Sequence, residues 1–198
     1  MAVNRDPILK RCRYLGISPA VVGIDKSSKR NPNANARRKV SEYGIQLKEK
    51  QKLKFIYGVL EKPFFHYFEI ASKMEGQAGN NLITVLETRL DNIAFRMGLA
   101  LTRREARQLV THGHFLVNGK KVDIPSYRVK VGDVITLREK SRSSSKIKSI
   151  VEQTAGRIVP LWLEVNKEEF SAKVVRLPAI EDIDYEVAPH LIVELYSK

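Results

Sequence analysis

The chain has 198 residues, 43% of them hydrophobic, which is enough for one or two modest cores because burial efficiency rises with chain length. A single cysteine, Cys12, excludes an internal disulfide and a cysteine-rich zinc site, and no apolar run reaches the ~18 residues that span a bilayer. A net charge of +13 calls for a polyanionic partner, since phosphates neutralised by Lys and Arg release condensed counterions.

The charge is segregated along the chain. Residues 1–40 hold ten Lys or Arg against Asp6 and Asp25, leaving +8, and have little apolar material beyond Tyr14–Ile17 and Ala20–Ile24. The segment reads as a basic extension, disordered when free and ordered on RNA, with no secretory signal at its start, so the expected location is the cytoplasm. Ser41 then offers an N-cap and Glu42 suits a positive first turn, predicting a helix to Tyr57 with Gly58 as its stop. Ile45, Leu53, Ile56 and Tyr57 fall on its inward arc. A second helix is expected from Pro63 to Gly76 with Phe64, Phe68 and Ala71 on one side, followed by a turn at Gly79-Asn80-Asn81. From Asn81 the apolar positions recur every three or four residues up to Gly98, predicting one helix or two abutting ones.

After Gly98 the pattern changes. Thr102-Arg103-Arg104-Glu105 has the form of a capping box opening a helix over 103–112. Its apolar arc is Ala106, Leu109 and Val110, so Arg103, Arg104, Arg107, Gln108 and Thr111 are expected on the solvent side. Asn118-Gly119 between Phe115-Leu116-Val117 and Lys120-Lys121-Val122 predicts a tight hairpin that brings Lys120 and Lys121 to the same surface. That surface is either a solvated helix face or an RNA-binding one. Val134–Leu137 and Leu161–Val165 read as strands, Ser141–Ser145 as a polar break, and Ile147, Ile150 and Val151 as one more helix. Trp162 is a core candidate. The pair His112 and His114 reads either as two metal ligands lacking a third or, better, as a helix end and strand start, with His114 beside the RNA surface.

The run from Arg89 to Val129, RLDNIAFRMGLALTRREARQLVTHGHFLVNGKKVDIPSYRV, resembles the RNA-binding motif named after ribosomal protein S four. Ser41–Gly44, Gln46–Lys52, Tyr57–Val59 and the closing Leu191–Ser197 resemble the rest of that bacterial small-subunit family. Many members hold a zinc through N-terminal cysteines, so this chain resembles the zinc-free form, with no cofactor. The resemblance implies an α+β fold: a basic extension (1–40), a helical domain (41–90, completed by about 175–198) and an inserted α+β domain with a small antiparallel sheet (91–174). It implies a non-enzymatic constituent of the small ribosomal subunit that binds the 5′ domain of its rRNA early in assembly and affects translational accuracy. It places Arg37, Arg38 and Lys39 near the path by which mRNA enters.

The resemblance also implies contact with the fifth small-subunit protein. Residues 158–198 carry −4, and the cluster Glu181, Asp182, Asp184 and Glu186 reads either as a solvated loop or as that contact, with Glu181, Asp182 and Asp184 as its residues. The competing function class is a free RNA chaperone or RNA-modifying enzyme, because Arg89-Leu90-Asp91 mimics the segment around the catalytic aspartate of pseudouridine synthases. Asp91, however, falls inside a helical apolar repeat, and the chain is too short for a separate catalytic domain.

Overall fold

The computed structural model describes residues 6–26 and 41–197. It has α+β architecture in two compact units, one running to Leu82 and resuming at Asp184, the other spanning Ile83–Ile183. No helix among the described residues is long and apolar enough to cross a membrane.

The first unit is helical: α1 (Ile8–Leu15), a 3-10 turn (Pro19–Val22), α2 (Glu42–Ile56), α3 (Glu61–Ser72), the start of α4 (Ala78–Glu87), and α9 (Pro189–Tyr196). Where an unstructured arm is expected, residues 6–26 instead fold against α2. The reason is the spacing of Cys12 and Leu15, three apart on one helix face, which buries both at 1% exposure while Arg11 donates to Gln51. Burial pushes the Cys12 thiol above its usual range. Cys12 is therefore expected to react slowly with an alkylating reagent in the native chain and at a free-thiol rate in denaturant. Equal rates in both conditions, followed by mass spectrometry, would show that α1 does not pack.

The inward arc of α2 differs from the periodicity reading. Ile45 is 45% exposed, and Gln46 is fully buried beside Leu53 and Ile56. The amide is satisfied there, since Gln46 Nε2 donates to Glu194 Oε2 on α9 at 3.0 Å. Helix α3 starts at Glu61, whose carboxylate pairs with Lys50 and Lys54 of α2. Gly79, Asn80 and Asn81 form the first turn of α4 and not a loop. Asn81 Nδ2 donates to the carbonyls of Ala71, Met74 and Glu75 and so closes the end of α3. A Cβ on Gly79 would sit 2.7 Å from the Pro189 Cβ, so this close approach to α9 requires glycine.

The second unit contains α5 (Leu90–Arg96), α6 (Arg103–Thr111), β1 (Phe115–Val117), β2 (Lys120–Lys121), β3 (Val134–Leu137), α7 (Glu139–Arg142), α8 (Ser145–Gln153), β4 (Leu163–Asn166) and β5 (Ser171–Val174). The strands form one antiparallel sheet in the order β2-β1-β3-β5-β4. The apolar repeat over 81–97 is thus two helices, α4 and α5. They separate at Arg89, where the backbone bridges to Arg128 and Leu90 N donates to Tyr127 O. Phe95, Leu109, Val110, Phe115, Ile135, Leu137, Ile147 and Trp162 share one core under the sheet. The polar break at Ser141–Ser145 is partly α7, and Leu161 lies in an exposed turn, so β4 begins at Leu163.

Candidate nucleic-acid interface

The start of α6 is set by its side-chain caps. Thr102 Oγ1 accepts from Glu105 N at 3.2 Å, while the Glu105 carboxylate accepts from Leu101 N at 2.9 Å and not from Thr102 as a standard capping box would have it. The helix buries Ala106, Leu109 and Val110 as the apolar spacing requires.

The polar arc is divided. Arg104, Gln108 and Thr111 are exposed, whereas Arg103 is only 6% exposed. Its guanidinium donates to Asn92 Oδ1 at 2.8 Å and lies 4.3 Å from the centroid of the Phe95 ring, whose second cation is Arg157 at 4.2 Å. Arg103 is therefore not one of three outward arginines: a buried acceptor and an aromatic ring on α5 draw it inward. Arg107 is intermediate, at 31% side-chain exposure, with Nη1 3.3 Å from Asp91 Oδ2.

Beneath this surface lies a buried ionic network. The Glu87 carboxylate, fully buried, accepts from Arg96 Nη2 at 2.9 Å and from Asn92 Nδ2 at 2.7 Å. Arg89 pairs with Asp91, which also holds Arg107. The Arg-Leu-Asp segment is thus a structural clamp, and its aspartate is 4% exposed and held by two guanidinium groups.

The hairpin turn has Asn118 and Gly119 at φ 49° and 77°, both in the left-handed region, as a type I′ turn requires. Asn118 also links this turn to the next one: its Nδ2 donates to Asp133 Oδ1 at 2.7 Å and its Oδ1 accepts from Val134 N at 2.9 Å. Lys120 and Lys121 emerge exposed from this braced hairpin. The Lys121 stem fills the space that a Cβ on Gly113 would occupy, which brings its ammonium beside the C-terminal end of α6. There the rings of His112 and His114 stack at 6.3 Å, and His114 Nδ1 lies 2.8 Å from Ser141 Oγ. No group of three or more His, Cys, Asp or Glu gathers into a metal site among the described residues.

The structure thus brings Arg104, Gln108, Thr111, His114 and Lys121 along one element and its end, and adds Arg138 and Lys146, which sequence reasoning misses because their contacts, to Gly113 O and Glu105, lie 25 or more residues away in the chain. Arg37, Arg38 and Lys39 lie outside the described residues. In the acidic segment, Glu181 and Asp184 are exposed, but the Asp182 side chain is only 5% exposed. Asp182 pairs with Arg176 at 2.6 Å and accepts from Ala179 N at 2.8 Å, and the Arg176 hydrogen bonds hold its carboxyl below the usual range. It closes a 3-10 turn (Ile180–Asp182), so it is removed from the expected partner surface.

Residues 4–87 match the family described as Ribosomal protein S4/S9 N-terminal domain, and residues 88–135 match the S4 domain. The chain is 59% identical to the small ribosomal subunit protein uS4 of Lachnospira eligens over 198 residues, covering 100% of both chains. It is 57% identical to that of Agathobacter rectalis and 48% identical to that of Fusobacterium nucleatum, again over 100% of each chain.

Proposed function

The chain belongs to the uS4 family of small ribosomal subunit proteins, and from that membership we propose that it is a structural, non-enzymatic constituent of the small subunit that binds rRNA directly. The observation that carries this is the likeness to uS4 proteins over the whole length of both chains. The family's role then gives the finer reading: this protein binds the 5′ domain of small-subunit rRNA, nucleates assembly of the subunit body and affects decoding accuracy, in the cytoplasm.

The rRNA-facing residues in this reading are Arg104, Gln108, Thr111, His114, Lys120 and Lys121, with Arg107 at their edge and Arg103 bracing them from inside. The reading is supported by the exposure of Arg104, Thr111, Lys120 and Lys121 and by the flexible cationic and hydrogen-bonding chemistry that phosphate and sugar demand. Arg37, Arg38 and Lys39 serve the path of incoming mRNA. Glu181 and Asp184 face a basic neighbour, the fifth small-subunit protein.

Sedimentation of cell extract tests the function. Nearly all of the chain should travel with the small subunit, and a mainly free pool would favour an RNA chaperone. Reversing the charge of Glu181 and Asp184 should weaken recruitment of the neighbouring protein and leave binding to naked rRNA intact; weaker naked-rRNA binding would reassign that surface.

A further inference from the structure

A cleft of about 380 Å³ opens beside the basic face, between the end of α6, the start of β1 and the corner formed by α7 and α8. Its charged and titratable lining is Glu105 and His112 from α6, His114 before β1, Arg138 and Lys140 after β3, and Lys146 in the first turn of α8. The one carboxylate, Glu105, is 3.0 Å from Lys146 Nζ and also accepts from Leu101 N, so it is already neutralised. Three cations and two imidazoles therefore face one satisfied carboxylate, joined by the hydroxyls of Ser141 and Ser144. Such a lining, rich in donors and poor in free acceptors, fits a phosphodiester, which has acceptors only.

We infer that this cleft seats one backbone phosphate of the bound RNA, and that seating it places a proton from solvent on His114. The inference rests on the rRNA-binding reading above. His114 is fixed by its 2.8 Å contact with the buried Ser141 hydroxyl through Nδ1, which leaves Nε2 for the ligand. In the RNA-free protein, burial, reinforced by His112, Arg138 and Lys146, holds the His114 imidazole below its ordinary value. It is therefore uncharged at neutral pH. A phosphate monoanion among the same groups reverses the electrostatic part: it offsets the surrounding positive charge and accepts a hydrogen bond from the imidazolium. The Ser141 hydroxyl can donate to a bare Nδ1 and accept from a protonated one, so the contact is open to both states.

The sign of the linkage follows. Binding raises the histidine value, so affinity is flat at high pH and rises as pH falls through the bound-state value, by at most about tenfold per pH unit for one proton. Filter binding of the full chain to a 5′-domain rRNA fragment, at constant ionic strength from pH 8 to 5.5, reads this directly. The chain has four histidines, so the comparison that matters is wild type against His114→Gln. Wild type should bind about three- to tenfold tighter at pH 6 than at pH 7.5, and His114→Gln should lose most of that gain. A His66→Gln/His190→Gln chain should keep it.

Absence of RNA binding at every pH would overturn the rRNA reading itself. Binding with the same pH dependence in wild type and His114→Gln would overturn this seat alone. Histidine ring NMR of the wild-type chain keeps the test independent of any folding defect: the His114 titration must move upward when the RNA is added, and an unmoved value overturns the inference.

Discussion

Replacing Arg96 with Met is expected to lower the stability of the α+β unit by about 3–5 kcal/mol, the usual cost of leaving one member of a buried ion pair behind. The Glu87 carboxylate is fully buried, and its charge is balanced by the Arg96 guanidinium at 2.9 Å with Asn92 as a neutral donor. Without Arg96 the carboxylate must either remain ionised in the interior or take up a proton, and both routes cost folding free energy. The double variant Glu87→Gln/Arg96→Met removes the stranded charge and should recover part of the loss, because an intact buried pair contributes far less than its disruption costs. Urea unfolding of the three chains decides it. A single variant within about 1 kcal/mol of wild type would show that the network is not a determinant of stability.

The second large effect is on binding. Replacing Arg104, Lys120 and Lys121 together by Ala should flatten the plot of log K against log salt by about two to three units, at roughly 0.7 to 0.9 for each phosphate no longer neutralised. All three are exposed, so thermal unfolding should change little. Arg103→Ala should behave oppositely. It leaves Asn92 Oδ1 without its donor and Phe95 without one of its two cations, so it lowers stability by about 1–3 kcal/mol, with a near-normal salt slope. An unchanged slope in a folded triple variant would return these cations to a merely solvated surface. A large change of slope in Arg103→Ala, with no loss of stability, would place that guanidinium on the RNA side.

This contrast between neighbouring arginines marks what a sequence can reveal. The position of α6, its buried apolar arc and the Asn118-Gly119 hairpin are all legible, because each rests on residues within a few positions of one another. The inward turn of Arg103 is not, because its partners Asn92 and Phe95 lie on another helix, and periodicity assigns every polar side chain to water. The burial of Gln46 is illegible for the same reason, since Glu194, to which it donates, lies 148 residues away. A break at Gly79-Asn80-Asn81 follows sound turn chemistry, but tertiary partners, Pro189 against the glycine and three α3 carbonyls for Asn81, make helix the better solution. Strand β5 carries little local signal because Ser171–Val174 is short and half polar, and only its pairing with β3 and β4 defines it.

The chain order of the two units has a consequence in time. Every element of the unit spanning Ile83–Ile183 is present once residue 183 has been synthesised, whereas the other unit needs α9 to cover α2 and α3. At synthesis rates of about 5–20 residues per second, the residues between Gln46 and Glu194 take roughly 7 to 30 seconds to add. During that interval Gln46 lacks the Glu194 carboxylate, and Phe64 and Phe68 lack the Tyr196 ring that packs against them. The inner unit, which carries α6 and the hairpin, therefore has all of its residues before the unit that begins the chain is whole.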